Sequence, residues 1–213
     1  MKRTALAVIF MSQGLSALAS GADLPYAPSV RVGDMWQYRQ LDGFTQEIQG
    51  EASHQVVSIS NSEITVRQVN KGREGTRSIV IYDRFWNLID NGAMKYEPSA
   101  GLNSFPMTIG KVMRKDFRGT ILKTGRSAMC TEKGQYVAWE KTSVPAGTFD
   151  ALRLDIEIEC RGTGMDTYLN KTITNSWYAP SINRIVRSES QTVRDGRVRE
   201  RTALELVRYA PAP

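Results

Sequence analysis

The sequence predicts an all-β protein, either a single curled antiparallel sheet or a half-open β-barrel built of consecutive hairpins, preceded by a signal peptide. Apolar and polar residues alternate with the two-residue period of half-buried strands. Gly, Asn, Asp and Pro residues separate these runs, and helical periodicity is almost absent after Ala22. About ten strands in a single domain favour a sheet that curls or closes, because long open sheets rarely stay flat.

Residues 1–22 have the pattern of a cleavable signal peptide. Lys2 and Arg3 form a basic head, an apolar run extends from Ala5 to Met11, and small residues follow through Ser20. A membrane span needs about 20 apolar residues, and no later stretch is apolar enough to provide one. We therefore expect a periplasmic protein in which residues 23–213 form a single antiparallel β domain, without a transmembrane segment in the mature chain.

The first clear hairpin is predicted around Asn61 and Ser62. A two-residue turn at these positions would pair Ile59 with Ile64 and Val57 with Val66, with both pairs on one face of the sheet. Residues 83–90 fit either a strand or a short helix.

The clearest half-buried strand covers residues 152–160, where Leu and Ile alternate with charged residues. Asp155, Glu157 and Glu159 share the polar face of this strand. Paired carboxylates can act in glycoside hydrolysis, but a solvated face paired with neighbouring Lys or Arg side chains is the favoured interpretation. Residues 169–177 continue the pattern at a looser spacing.

A further hairpin is predicted at residues 144–149. A four-residue loop there would place Trp139 opposite Leu154, Val137 opposite Ile156 and Cys160 opposite Lys133.

The two cysteines predict a structural disulfide between Cys130 and Cys160. The expected compartment is oxidising, the number of cysteines is even, and only one pairing exists. Two buried thiols are the alternative. A redox-active role is not expected, because the cysteines do not have the Cys-x-x-Cys spacing.

Four short segments also suggest a family. They are VGDMWQY at 32–38, FPMTIGK at 105–111, VPAGTF at 144–149 and WYAP at 177–180. In this order they resemble the TapB-like family of exported bacterial envelope proteins of unknown function, which look like relatives of the half-open barrels of lipoprotein carriers. The resemblance implies a fold and a compartment. Its motifs are turns and strand starts, so it supplies no catalytic residue.

The composition excludes several classes of protein. One His and two Cys cannot build a tetrahedral zinc site without carboxylates, and no serine-hydrolase, metalloprotease or phosphate-binding motif is present. We therefore predict no catalytic residue, no metal and no cofactor. His54 is expected to be a surface or hydrogen-bonded residue. The net charge of +6 is modest, and no nucleic-acid partner is expected for an exported protein.

Two groups of residues are candidate binding sites. The first is a set of aromatic residues that could fill a curled sheet or line an apolar cavity: Trp36, Tyr38, Trp86, Trp139, Trp177 and Tyr178. The second is a set of arginines in the hairpin that turns at Asp195 and Gly196: Arg194, Arg197, Arg199 and Arg201. Pairing across that turn would place all four on one face, where they could bind an anionic partner or form a solvated tip.

These observations favour a non-enzymatic periplasmic protein that binds an amphipathic or hydrophobic envelope ligand such as a lipid. The alternative is an interaction module of an envelope assembly, which would pair its exposed strand edges with a partner protein. An enzyme is the least favoured class.

Overall fold

The computed structural model describes residues 27–71, 77–163, 169–194 and 196–213. The predicted signal peptide and its cleavage site lie outside these described residues. Asp195, one of the two predicted residues of the last hairpin turn, also lies outside them.

The described residues form a closed antiparallel barrel of twelve strands. The strands are β1 (Met35–Asp42), β2 (Ile48–Ile59), β3 (Glu63–Lys71), β4 (Arg77–Asp83), β5 (Leu88–Asp90), β6 (Met94–Ala100), β7 (Val112–Ile121), β8 (Ser127–Val144), β9 (Gly147–Gly162), β10 (Leu169–Ala179), β11 (Arg184–Arg194) and β12 (Arg197–Ala210). Each strand pairs with the next along the chain, and a 3₁₀ turn at Pro180–Ile182 connects β10 to β11. Of residues 83–90, which fitted strand or helix, Asp83 ends β4, residues 84–87 form a turn, and Leu88–Asp90 form β5.

The barrel is closed, so the predicted half-open barrel is wrong. Strand β1 pairs with β12 over its whole length, from Met35 opposite Ala210 to Asp42 opposite Thr202. Closure pairs the backbone N–H and C=O groups that the two end strands of an open sheet would expose. The local alternation within strands is the same in an open and a closed sheet, so the sequence pattern did not distinguish them.

The predicted turn at Asn61 and Ser62 is confirmed, with Ile59 opposite Ile64. Further along the hairpin a β-bulge shifts the register, so that Val56, and not Val57, lies opposite Val66. The bulge adds one residue to β2 and exchanges the faces of the residues that precede it.

The hairpin of β8 and β9 has a shorter loop than predicted. Val144 pairs with Gly147, whose φ of 132° lets the chain reverse after only two residues. As a result Trp139 lies opposite Leu152, and a second bulge brings Cys130 directly opposite Cys160. The predicted opposition of Trp139 to Leu154, Val137 to Ile156 and Cys160 to Lys133 is therefore wrong, while the predicted disulfide is confirmed, with a Cα–Cα distance of 4.1 Å.

The carboxylate face of β9 pairs with neighbouring cations, as predicted. Arg153 bonds to Asp155 at 2.7 Å, and Lys171 of β10 bonds to Glu157 at 2.7 Å. These side chains are about one third exposed. The face is therefore a solvated surface. Exposed ion pairs of this kind contribute little to stability.

Asp34 connects the two ends of the barrel domain. Its buried carboxylate accepts hydrogen bonds from the backbone N–H of Arg31 and of Ala212, each at 2.8 Å. The contact with Ala212 holds the residues after β12 against the start of β1, beside the seam where these strands close the barrel.

Replacing Asp34 by alanine is expected to lower the free energy of unfolding by about 1.5–3 kcal/mol, because two backbone donors lose a charged acceptor. Urea unfolding of the variant measures this loss. The matched control is Asp150→Ala, which removes a carboxylate that is 74% exposed and should change stability by less than about 0.5 kcal/mol. Equal effects in the two variants would contradict the role of Asp34.

Candidate functional site

A cavity of about 200 Å³ lies against the core side of the barrel wall. Six of the side chains that line it come from strands far apart in sequence: Tyr38 of β1, His54 of β2, Tyr82 of β4, Trp86 of the following turn, Tyr178 of β10 and Arg184 at the start of β11. Ile185, Ser188 and Leu204 complete much of the wall and are only half-buried. The cavity is thus mainly aromatic and contains one cationic group.

Arg184 is the unusual member of this wall, because only 8% of the residue is exposed. Three aromatic rings surround its guanidinium carbon, which lies 3.8 Å from the ring centre of Trp86, 4.7 Å from that of Tyr82 and 5.6 Å from that of Trp36. The faces of aromatic rings attract cations, so this cage offsets part of the cost of burying the charge.

The hydrogen bonds of Arg184 are few and long. Nη2 lies 3.3 Å from the hydroxyl oxygen of Tyr82 and 3.5 Å from Nδ1 of His54. Among the described residues, no carboxylate lies within 4.0 Å of the guanidinium. The described protein groups that surround the positive charge are therefore aromatic rings and neutral polar groups.

The neighbouring titratable groups do not carry a compensating charge. Burial, and secondarily the positive charge of Arg184, lower the pKa of His54 to about 3, so its imidazole is neutral at pH 7. Burial raises the pKa of the Tyr38 and Tyr178 phenols, which are neutral as well. Arg184 is consequently the charged group of this cavity wall in the part of the chain that the structure describes.

The lowered pKa of His54 predicts a pH dependence of stability. Protons bind to the unfolded chain near pH 6.5 but to the folded protein only near pH 3, so the unfolded state binds more protons between these values. The free energy of unfolding should therefore rise as the pH increases across this window, and this contribution should be absent in His54→Gln. Urea titrations across the window measure the difference. NMR can follow the imidazole directly, since the chain has one His, and a midpoint near 6.5 in the folded protein would contradict the prediction.

The six predicted cavity aromatics divide into three groups. Tyr38, Trp86 and Tyr178 line the cavity. Trp36 is fully buried behind it, and Trp139 packs half-buried against the core. These five lie on the inner side of the barrel wall or in the core.

Trp177 does not line the cavity, although it is only 8% exposed and packs with the main core. It lies opposite Arg153 of β9, whereas its neighbour Tyr178 lies opposite the buried Leu152, so the two aromatics project from opposite faces. The indole ring has Arg153 at 5.8 Å and Arg187 at 5.4 Å from its centre, and Nε1 donates to Glu140 at 2.7 Å. The candidate set grouped the aromatics by residue type, whereas adjacent residues of a strand project to opposite faces.

The predicted arginine face is divided between the two sides of the sheet. Arg194 lies opposite Arg197, as predicted, but Arg201 lies opposite Gln191. A β-bulge that adds Arg199 to β12 causes this shift, and positions 191 and 194 project to opposite faces. An anionic partner for Arg194, Arg197, Arg199 and Arg201 remains a prediction, but a single face of four arginines is wrong.

A larger depression of about 300 Å³ lies over the outer residues of β10, β11 and β12. Its wall contains Arg187 and Arg201 together with Glu189 and Glu205. Cations and carboxylates balance there, and Glu205 also bonds to Arg39 at 2.7 Å. This depression therefore has no unmatched charge to attract a ligand, in contrast to the inner cavity.

Sequence reasoning did not identify Arg184, Tyr82 or the position of His54. A signal for Arg184 was present: Val186 fits the core face of a strand, so the residue two positions earlier shares that face. The inward position of His54 depends on the bulge in β2, which the residue pattern did not indicate.

No known protein family matches the sequence, and no curated protein is similar to it. The fold is similar to that of two solved structures. The first, a predicted lipoprotein from Parabacteroides distasonis, has a TM-score of 0.59 and 16% identity, over 89% of this chain and 100% of that one. The second, a predicted exported protein with a YmcC-like fold from Bacteroides fragilis, has a TM-score of 0.58 and 16% identity, over 87% of this chain and 99% of that one.

These similarities show that the chain shares the fold of these two structures, which for the second is a YmcC-like fold. Membership of the TapB-like family remains an interpretation of the sequence segments. Within the described ranges, no helix is long and apolar enough to cross a bilayer. The described side chains also contain no cluster of three or more potential metal ligands.

Proposed function

We propose that the protein is an exported, non-enzymatic binding protein of the periplasm that holds a small amphipathic ligand in the inner cavity. The observation that carries the proposal is an aromatic cavity of about 200 Å³ with a buried Arg184 in its wall. Ligand sites are commonly concave, mainly apolar and provided with a few polar groups that orient the ligand.

The size of the cavity limits the ligand. Sites for drug-sized molecules usually measure about 300–1,000 Å³, and this cavity is smaller. A complete two-chain lipid does not fit, so the ligand is a small amphipath or the end of a longer one. The proposed ligand is therefore more restricted in size than the lipid that the sequence led us to expect.

The hydrogen-bond partners of the hydroxyl groups in the cavity wall favour a binding function over a catalytic one. The hydroxyl of Ser188 lies 3.3 Å from that of Ser176, and the hydrogen bond of the His54 ring in the described part of the chain goes to Arg184. Tyr38 donates to the backbone oxygen of Ile185 at 2.8 Å. Covalent catalysis requires a nucleophile with an adjacent base. These hydroxyl groups do not form such a pair.

The alternative of an interaction module rested on exposed strand edges. Each of the twelve strands in the described part of the chain has a neighbour on both sides. Pairing of a partner strand with a free edge is therefore not supported, and we do not propose it.

Titration with the neutral fluorescent probe N-phenyl-1-naphthylamine tests the proposed function. We expect saturable binding at one site per chain. Filling the cavity with Leu204→Trp should weaken binding by about ten-fold or more, because the larger side chain occupies the site. The control Leu122→Trp adds the same side chain at a position that is 49% exposed and should bind as the wild type does. Circular dichroism confirms the fold of each variant, and absence of saturable binding to the wild type would overturn the proposal.

Export is tested separately by fractionation and intact-mass measurement. The protein in the periplasmic fraction is expected to begin between residues 20 and 23, because signal peptidase cleaves after small residues. A periplasmic protein that retains residues 1–19 would contradict the predicted signal peptide.

A further inference from the structure

We infer that the inner cavity recognises the anionic end of its ligand, a carboxylate or a phosphate, which binds Arg184 with the indole N–H of Trp86 as a second donor. The inference rests on the proposed function and specifies the chemistry of the ligand. It follows from the buried charge of Arg184 and from the unpaired indole N–H of Trp86. The shape of the cavity determines neither of these two features.

The first argument compares Arg184 with other arginines of the barrel. Arg39 and Arg153 are about one third exposed, and each has a carboxylate at 2.7 Å. Arg184 is only 8% exposed and has no such partner among the described residues. Burying a charge without a counter-charge is unfavourable, and ring contacts offset only part of that cost. An anion in the cavity would provide the missing counter-charge.

The second argument concerns hydrogen-bond donors. Nη2 of Arg184 makes two long contacts, to the hydroxyl of Tyr82 and to Nδ1 of His54. Nε1 of Trp86 is buried and has no hydrogen-bond partner in the described part of the chain. Unsatisfied buried donors are uncommon in folded proteins, and each one calls for an acceptor. The planar fork of a guanidinium matches two oxygens of one carboxylate or phosphate.

The remaining groups of the wall tolerate an anion. Tyr38, Tyr178 and His54 are neutral at pH 7, so they do not repel a negative charge. The hydroxyl of Tyr38 is held by the backbone oxygen of Ile185 at 2.8 Å. Leu204 borders the same space and can contact the apolar part of a ligand. A neutral amphipath could accept a hydrogen bond but would leave the buried charge of Arg184 without a counter-charge, and a cationic one would add a second positive charge.

Competition with N-phenyl-1-naphthylamine tests the inference with four compounds of equal chain length: octanoate, octyl phosphate, 1-octanol and octylamine. Octanoate or octyl phosphate should displace the probe at concentrations about 10- to 100-fold lower than 1-octanol, as expected for one or two charge-assisted hydrogen bonds. Octylamine should be the weakest. Comparison of the two anions distinguishes a carboxylate ligand from a phosphate headgroup.

Variants locate the effect at Arg184. Arg184→Met retains an unbranched side chain without charge, so the preference for the anion over 1-octanol should disappear while the probe still binds. Trp86→Phe removes the indole donor and should reduce the preference about ten-fold or less. Arg153→Met, on the opposite face of the sheet, is the control and should retain the wild-type preference.

The outcomes separate the inference from the proposed function. Equal displacement by octanoate and 1-octanol in a wild-type protein that binds the probe would overturn the inference and leave the binding function standing. Failure of the wild type to bind the probe would overturn the binding function itself. If Arg184→Met did not fold, Arg184→Lys would keep the charge but lose the fork, and it should still prefer the anions, although by a smaller factor.

Discussion

Replacing Trp36 by alanine is expected to lower the free energy of unfolding by about 3–5 kcal/mol, the usual cost of removing a large buried aromatic side chain. None of Trp36 is exposed. Its indole N–H donates to the backbone oxygen of Ile182 at 3.1 Å. The centre of its ring lies 5.8 Å from the ring centre of Trp86 and 5.6 Å from that of Tyr209. The substitution would leave a cavity and an unpaired buried carbonyl. Since small domains have a total stability of about 5–15 kcal/mol, the variant should be close to unfolding.

Chemical unfolding followed by circular dichroism measures this effect. Phe44→Ala is the control, because Phe44 is 58% exposed just beyond the end of β1, and it should change stability by less than about 1 kcal/mol. Trp36→Phe retains most of the apolar volume but loses the N–H donor, so it should fall between the two. A loss of under about 1 kcal/mol in Trp36→Ala would show that this tryptophan does not hold the core together.

Removing the Cys130–Cys160 disulfide is expected to cost about 2–5 kcal/mol. The bond joins directly opposed residues of β8 and β9 across a sequence separation of 30. A loop of that size corresponds to about 3.6 kcal/mol when the effect is ascribed to the entropy of the unfolded chain. The cysteines also pack with Phe117 and Ala128 in a small apolar cluster at a distance from the main core.

The double variant Cys130→Ser/Cys160→Ser, compared with the wild type in urea, measures this contribution. Met129→Ser is the matched control, because Met129 precedes Cys130 and is 45% exposed. Thiol labelling of the denatured, non-reduced wild type should modify neither cysteine. Two labelled thiols, or equal stability of the double variant and the wild type, would contradict a stabilising disulfide.

The prediction for Trp36 and the anion inference concern the same region of the barrel. Trp36 forms part of the aromatic cage around Arg184, at 5.6 Å from the guanidinium carbon. The core of the barrel thus also shapes the candidate binding site. Arg184→Met is expected to be no less stable than the wild type, because replacing a buried unpaired charge with an apolar group is often neutral or stabilising. A residue retained at a cost to stability is typical of a binding site.

Local features of this protein could be read from the sequence. The turn at Asn61 and Ser62, the charged face of β9 and the disulfide between Cys130 and Cys160 were all predicted correctly. Each depends on residues close in sequence or on a unique pairing. Alternation with a period of two reports which face of a strand is buried, and turn residues report where a strand ends.

Register, closure and the binding site depended on the tertiary structure. One extra residue in a strand reverses which face its neighbours occupy, and bulges of this kind separated Arg201 from Arg194 and turned His54 towards the cavity. Closure depends on whether β1 and β12, at opposite ends of the chain, can meet after the twist of all intervening strands has accumulated. The cavity collects side chains from both ends and the middle of the sequence. The sequence alone therefore determined an all-β chain with a disulfide, whereas only the folded barrel placed Arg184 among the aromatic rings that make it a candidate binding residue.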